Sequence, residues 1–146
     1  MYAPHTATVF NTWEDEDFNQ HIVATVLRGV FIDISKAANV SKSGLTDADA
    51  CKMFIPFDVR AESIDGGYKS FVNPFEFYTA EDKETLWTLD NAGQSNSTAT
   101  YFVKGEVHEL LTLAELKQRF EAFDVTTVDI RDFGSDAMRH WQVGGK

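Results

Sequence analysis

A chain of 146 residues has the length of one domain, 1–146, and can bury a core without help from a metal or a disulfide. A hydrophobic share of 43% and an aromatic share of 13% exclude a disordered chain. With 13 basic against 23 acidic residues, a net charge of −10 and a pI near 4.7, the surface as a whole is unsuited to nonspecific nucleic-acid binding or to an anionic membrane. It remains compatible with a passage that DNA traverses without sticking.

Cys51 is the single cysteine, so no internal disulfide is expected and a reducing cytoplasm is compatible. The opening residues have neither a basic nor an apolar targeting region, and no run approaches the length of a membrane span. Neither a signal peptide nor a membrane partner is therefore expected.

Thr6–Trp13 predicts a first strand anchored by Val9 and Phe10. Glu14, Asp15, Glu16 and Asp17 follow. Four successive acids raise the idea of a cation site, but they lack the alternation and glycine of a calcium loop, and a solvated loop fits better. Gln20–Ile34 is the longest extended segment, apolar on both faces, which predicts a central strand. Arg28-Gly29 interrupts it. Glycine inside a strand pattern predicts a bulge or bend, which lets one long strand serve two sheets. Ser35–Asp49 reads as a long polar loop, where Lys42, Ser43, Leu45, Asp47 and Asp49 are candidates for partner contact or gating. Asp47 and Asp49 form half of a metal pattern but fit better a turn before a strand.

Cys51–Phe57 predicts a strand with Cys51, Met53 and Ile55 on one side and an end or an edge at Pro56. Cys51 itself reads as a small buried hydrophobe. Asp65-Gly66-Gly67 marks a turn. Asn73–Tyr78 is an aromatic patch. It suits either stacking on bases or sugars or, lacking neighbouring basic residues, a core or subunit contact. Ala80–Leu89 predicts a helical turn anchored by Leu86, Trp87 and Leu89. Asn91–Thr98 is a polar loop, with Asn91 and Gln94 as further contact candidates.

Ala99–Lys104 predicts a strand. Thr112–Phe123 predicts the main helix, opened by a capping box of Thr112 and Glu115 and striped by Leu113, Leu116, Phe120 and Phe123. Val125–Gly145 reads as one hairpin, with a turn at Phe133-Gly134-Ser135-Asp136 and a second strand over Met138–Val143. The expected fold class is mainly β (α+β): a small β-barrel or sandwich with long loops and one main helix in the C-terminal half.

No motif for nucleophilic, nucleotide or zinc chemistry is present, and His5, His21, His108 and His140 form no ligand pair by spacing. Catalytic residues, metal and cofactor are accordingly all expected to be none. Asp129, Arg131, Asp132 and His140 cluster on the proposed hairpin. They read as a solvated cross-strand polar network. The rival reading is an acid–base site of Asp129, Asp132 and His140 in a small acidic enzyme or ligand-binding barrel.

Several segments resemble one family: Val26–Phe31, Asn39–Leu45 with Ala48-Asp49, Ile55-Pro56, Trp87–Leu89, Val103–Gly105, Asp129–Ser135 and Met138–Lys146. Together they are similar to small proteins of Firmicutes prophages and tailed phages encoded among the head–tail joining genes. The resemblance implies a structural virion protein of the neck, a head–tail connector of the head-closure (stopper) type, with tail terminator or minor capsid protein as alternatives. It implies a small β-barrel with long loops, assembled as a homo-oligomeric ring, dodecameric by analogy. Its partners would be portal or adaptor and tail proteins, and DNA would pass through without specific binding. The protein would be made in the host cytoplasm and reside in the virion. In such a ring, Glu14, Asp15, Glu16 and Asp17 are candidates to line the DNA channel.

Overall fold

The computed structural model describes residues 2–35, 50–91, 99–135 and 138–146. Among these, the chain runs β1 (His5–Glu14), β2 (Gln20–Ile34), β3 (Cys51–Pro56), β4 (Arg60–Ser63), β5 (Ser70–Phe71), α1 (Pro74–Thr79), β6 (Leu86–Trp87), β7 (Ala99–Lys104), α2 (Leu113–Arg119), β8 (Ala122–Arg131) and β9 (His140–Gly145). The fold is mainly β, as the extended apolar segments imply.

The main sheet has 7 strands, and all of its pairings are antiparallel. Strands β1, β2, β3, β9, β8 and β7 pair in a cycle, with β7 returning to β1. Two strands make the corners of this barrel-like ring. β2 pairs with β1 along Gln20–Val30, then with β3 along Phe31–Ile34. Its bend falls at Gly29, whose φ of 98° is available at little cost only to glycine, and the register with β1 slips there. β8 pairs with β7 through Ala122–Asp124 and with β9 from Val125 onward, with a register slip before Thr127. The irregularity expected at Arg28-Gly29 is found, and beyond it β2 exchanges β1 for β3 as a partner within the same 7-stranded sheet.

The interior is filled from every strand of the cycle. Val9, Leu27, Ile32, Met53, Ile55, Phe102, Val125 and Val143 meet there with Trp87 and Trp141. Phe71 and Trp141 lie 4.4 Å apart by ring centroids, and Trp87 and Trp141 5.6 Å. Aromatic contacts of this kind dominate core energetics by area. A second apolar layer lies on the outer face of β1 and β7, where Phe10, Tyr101 and Val103 are covered by Leu116 of α2 and by Val107.

Several expectations are corrected. α2 ends at Arg119, and Phe123 belongs to β8, paired with Phe102. Its spacing from Leu116 and Phe120 mimicked a helical stripe. Ala80–Leu89 contains no helix. Leu86 and Trp87 form β6, parallel to β5, because Trp87 is drawn into the ring interior. Asn73–Tyr78 is largely helical: Asn73 caps α1 by accepting from the Glu76 N–H at 2.8 Å, and Pro74 opens the helix. Of its aromatics, Phe77 is core and Phe75 is exposed. Pro56 does end β3, yet β3 lies between β2 and β9 rather than on an edge. The second hairpin strand begins at His140 rather than Met138.

Candidate functional site

The acidic run is the tip of the β1–β2 hairpin. Asp15 Oδ1 accepts the backbone N–H groups of Asp17 and Asn19, both at 2.9 Å, and Oδ2 lies 2.9 Å from His21 Nε2. The His21 contact, with the two backbone donors behind it, holds the Asp15 carboxyl down at about 2. Asp15 therefore shapes the turn, in which Phe18 adopts a φ of 64°. Glu14, Glu16 and Asp17 are exposed.

On the other hairpin, Arg131 stands across from His140, and Asp129 across from Gln142. Arg131 approaches Asp129 at only 3.9 Å, and Arg139 Nε reaches Asp132 Oδ1 at 3.0 Å. His140 Nδ1 lies 2.9 Å from the Met138 carbonyl, and its ring lies 5.7 Å from that of Phe54. Among the described residues His140 contacts neither Asp129 nor Asp132. The cluster is thus a set of exposed Arg–Asp pairs beside an aromatic contact. Asn91 is half-buried next to Asp90, while Lys42, Ser43, Leu45, Asp47, Asp49 and Gln94 lie outside the described residues.

Two features escaped the sequence reading. The first is a charge network centred on Arg28, at the β2 bend. Arg28 Nε donates to Glu62 at 3.0 Å, and its two terminal nitrogens donate to both Glu106 oxygens at 3.1 and 2.6 Å. Arg60 adds a second contact to Glu62 at 2.6 Å, and His108 lies 2.7 Å from Glu106. Arg28, then His108, pulls the Glu106 carboxyl down to about 2. Bidentate pairing of this kind fixes geometry as well as charge. It ties β2, β4 and the segment after β7 together. An arginine amid the apolar run of β2 was the available signal.

The second is a groove beside β2. β4 pairs with β2 only over Thr25–Arg28, so among the described residues Gln20–Ala24 have β1 on one side and no strand on the other. Lys69 reaches into this gap, its Nζ donating to the Ala24 carbonyl at 3.3 Å. The Lys69 residue is only 7% exposed, and burial pushes its ammonium down to about 8 against the opposing pull of Glu84. A cavity of about 290 Å³ lies here between Ile22, Ala24, Ile64, Lys69, Glu84 and Leu110. A second, of about 390 Å³, adjoins it across Ile22, Val23 and Glu84 and runs on to Trp13 and Glu81. Lys83 caps this end, with Nζ 2.6 Å from the Ala80 carbonyl and 5.1 Å from the Trp13 ring centre. Lysine spacing gave no hint of Lys69, because its burial depends on β4 folding over it.

Among the described residues, no group of three His, Cys, Asp or Glu side chains is placed to hold a metal ion, and no helix is long and apolar enough to cross a membrane. No curated protein and no solved structure matches the chain. A family of unknown function, DUF6751, does match over residues 2–146, nearly the full length, and the chain belongs to that family.

Proposed function

We propose that the protein is a structural subunit of a tailed-phage or prophage neck. In this reading it is a head–tail connector of the head-closure type, forming a homo-oligomeric ring in the virion and carrying no catalysis. The observation that supports this is the barrel-like ring of strands, the architecture the resemblance implies, with an apolar hairpin tip outside its core. At that tip, between β8 and β9, Ile130, Phe133 and Met138 are 65%, 69% and 62% exposed. Single exposed apolar side chains are ordinary, whereas several on one projecting tip suit a buried contact. In a ring closed by rotation, the tip of one subunit would meet a different surface of the next.

Within this assembly the exposed carboxylates of Glu14, Glu16 and Asp17 supply negative charge that repels phosphate and lets DNA slide. Asp15 contributes less, being committed to its turn and to His21. The flanking proteins would be the portal or adaptor on one side and tail components on the other. Affinity capture with the tagged chain, offered portal-side and tail-side proteins separately, tests the assignment. Head closure predicts capture of portal-side proteins, and replacement of Phe133 by Asp weakens self-association at the tip. Capture of tail-tube components alone would indicate a tail terminator instead.

A further inference from the structure

The geometry points to a peptide-binding groove along the open edge of β2: His21–Ala24 accept an extended, basic segment of a partner protein as an added strand. This inference is independent of the neck reading.

Four observations carry it. First, the edge is open. Among the described residues, β2 along Gln20–Ala24 has a strand partner on its β1 side only, because its pairing with β4 begins at Thr25↔Ser63, and of this stretch the Ala24 carbonyl is already engaged by Lys69. An extended chain laid there would continue the ladder, the usual route by which sheets capture peptides. Second, there is room beside it. The two adjoining cavities, about 290 and 390 Å³, follow this edge from Leu110 to Trp13. Third, the groove is partly apolar. Ile22, Ile64 and Leu110 line the first cavity, with the exposed Tyr68 ring at its side. Alternate side chains of an added strand would find apolar contact there.

Fourth, the rim selects a charge. Asp65, Glu81, Asp82 and Glu84 line the two cavities and are exposed. The two lysines in the groove are already engaged, Lys69 with the Ala24 carbonyl and Lys83 with the Ala80 carbonyl and the Trp13 ring. The available charge is therefore acidic, and it favours lysine or arginine on the incoming strand. The same rim disfavours a second copy as occupant, since a chain of net charge −10 would bring like charge to it. Lys69 fits this picture as the residue that satisfies the last carbonyl before β4, so that the free edge begins at a defined point.

The test uses the full chain and three capped hexapeptides. One alternates lysine and valine, one alternates glutamate and valine, and one is the lysine–valine peptide N-methylated at every residue, which cannot donate to a ladder. Backbone amide NMR follows shifts and hydrogen exchange at His21–Ala24. The lysine peptide is expected to shift these amides and to slow exchange at the alternate ones that face the groove rather than β1, while the other two leave them unchanged. Asp65 and Glu81 have no side-chain partner among the described residues. The double variant Asp65→Lys, Glu81→Lys should therefore keep the spectrum of the core and weaken the lysine peptide by about tenfold or more, the size expected for reversed charge at a binding rim. No response of His21–Ala24 to the lysine peptide overturns the inference, as does equal binding of the glutamate or N-methylated peptide. Such a failure would leave the neck reading standing, because that reading is judged on capture of portal-side proteins and on the composition of particles.

Discussion

Lys69 shows how much a single buried side chain can write into the behaviour of the whole. Its ammonium titrates at about 8 in the folded chain against an ordinary 10.5, because burial disfavours the charged form. Between these values the unfolded chain holds the proton more tightly, so stability rises with pH across that interval. Tyr101 works in the opposite sense at higher pH: burial raises its phenol above the ordinary value of 10, so unfolding gains as the unfolded phenol ionises. Below the Tyr101 effect the window for Lys69 is therefore from about pH 8 to about pH 10, where the thiol of the buried Cys51 also ionises in the unfolded chain and acts in the opposite sense. Denaturant unfolding across it should show stability rising more, or falling less, with pH in the native chain than in Lys69→Met. Gly145 is the other exacting position. A Cβ there would meet Phe123 Cβ at 2.9 Å and the Phe102 ring at 3.0 Å. Gly145→Ala should cost on the order of 1–3 kcal/mol by overpacking, read as a lower denaturation midpoint at unchanged slope. Neither constraint was visible in the sequence, where Gly145 merely closes the proposed hairpin and nothing near Lys69 signals burial. Both depend on what the fold brings from far along the chain.

Among the elements, those whose signals are local were legible. The capping box of α2 is one: Thr112 Oγ1 accepts the Glu115 N–H at 3.3 Å while Glu115 Oε1 accepts the Thr112 N–H at 3.1 Å. The Thr112 N–H, with the Thr112 hydroxyl donating to the same Oε1 at 2.9 Å, holds the Glu115 carboxyl below its ordinary value. Thr112→Ala should lower stability by roughly 1 kcal/mol, measured by thermal or denaturant unfolding. The extended apolar runs of β1, β2 and β7 and the sided pattern of β3 were equally local, as was the glycine at the β2 bend. The elements that were missed are those set by distant partners. β5 and β6 are two residues each and exist because they pair with each other around Trp87. β4 is four residues, too short for a periodic signal, and is held by β2 and by Lys69, whose N–H bonds the Ala61 carbonyl at 3.0 Å. The end of α2 was misplaced because Phe120 and Phe123 keep helical spacing while the chain has already turned to pair with β7. At the candidate sites, the sequence located the acidic turn and the polar hairpin. It could not show that Asp15 is occupied within its turn, nor that Arg28 gathers Glu62 and Glu106, since those carboxylates are 34 and 78 residues away from it.

At the scale of the whole molecule, a barrel-like ring of antiparallel strands leaves three surfaces unaccounted for by its own core. These are the acidic turn after β1, the apolar tip between β8 and β9, and the open edge of β2. In the proposed reading each has a use: the acidic surplus as a wall that DNA passes, the tip against a neighbouring subunit, and the edge for an extended segment of a partner. The central claim, a structural place at the head–tail neck, is tested most directly by quantitative mass spectrometry of purified particles from the source phage or induced lysogen. The account predicts that this chain is present in mature particles at about the copy number of the portal. Its absence from mature particles would contradict the account.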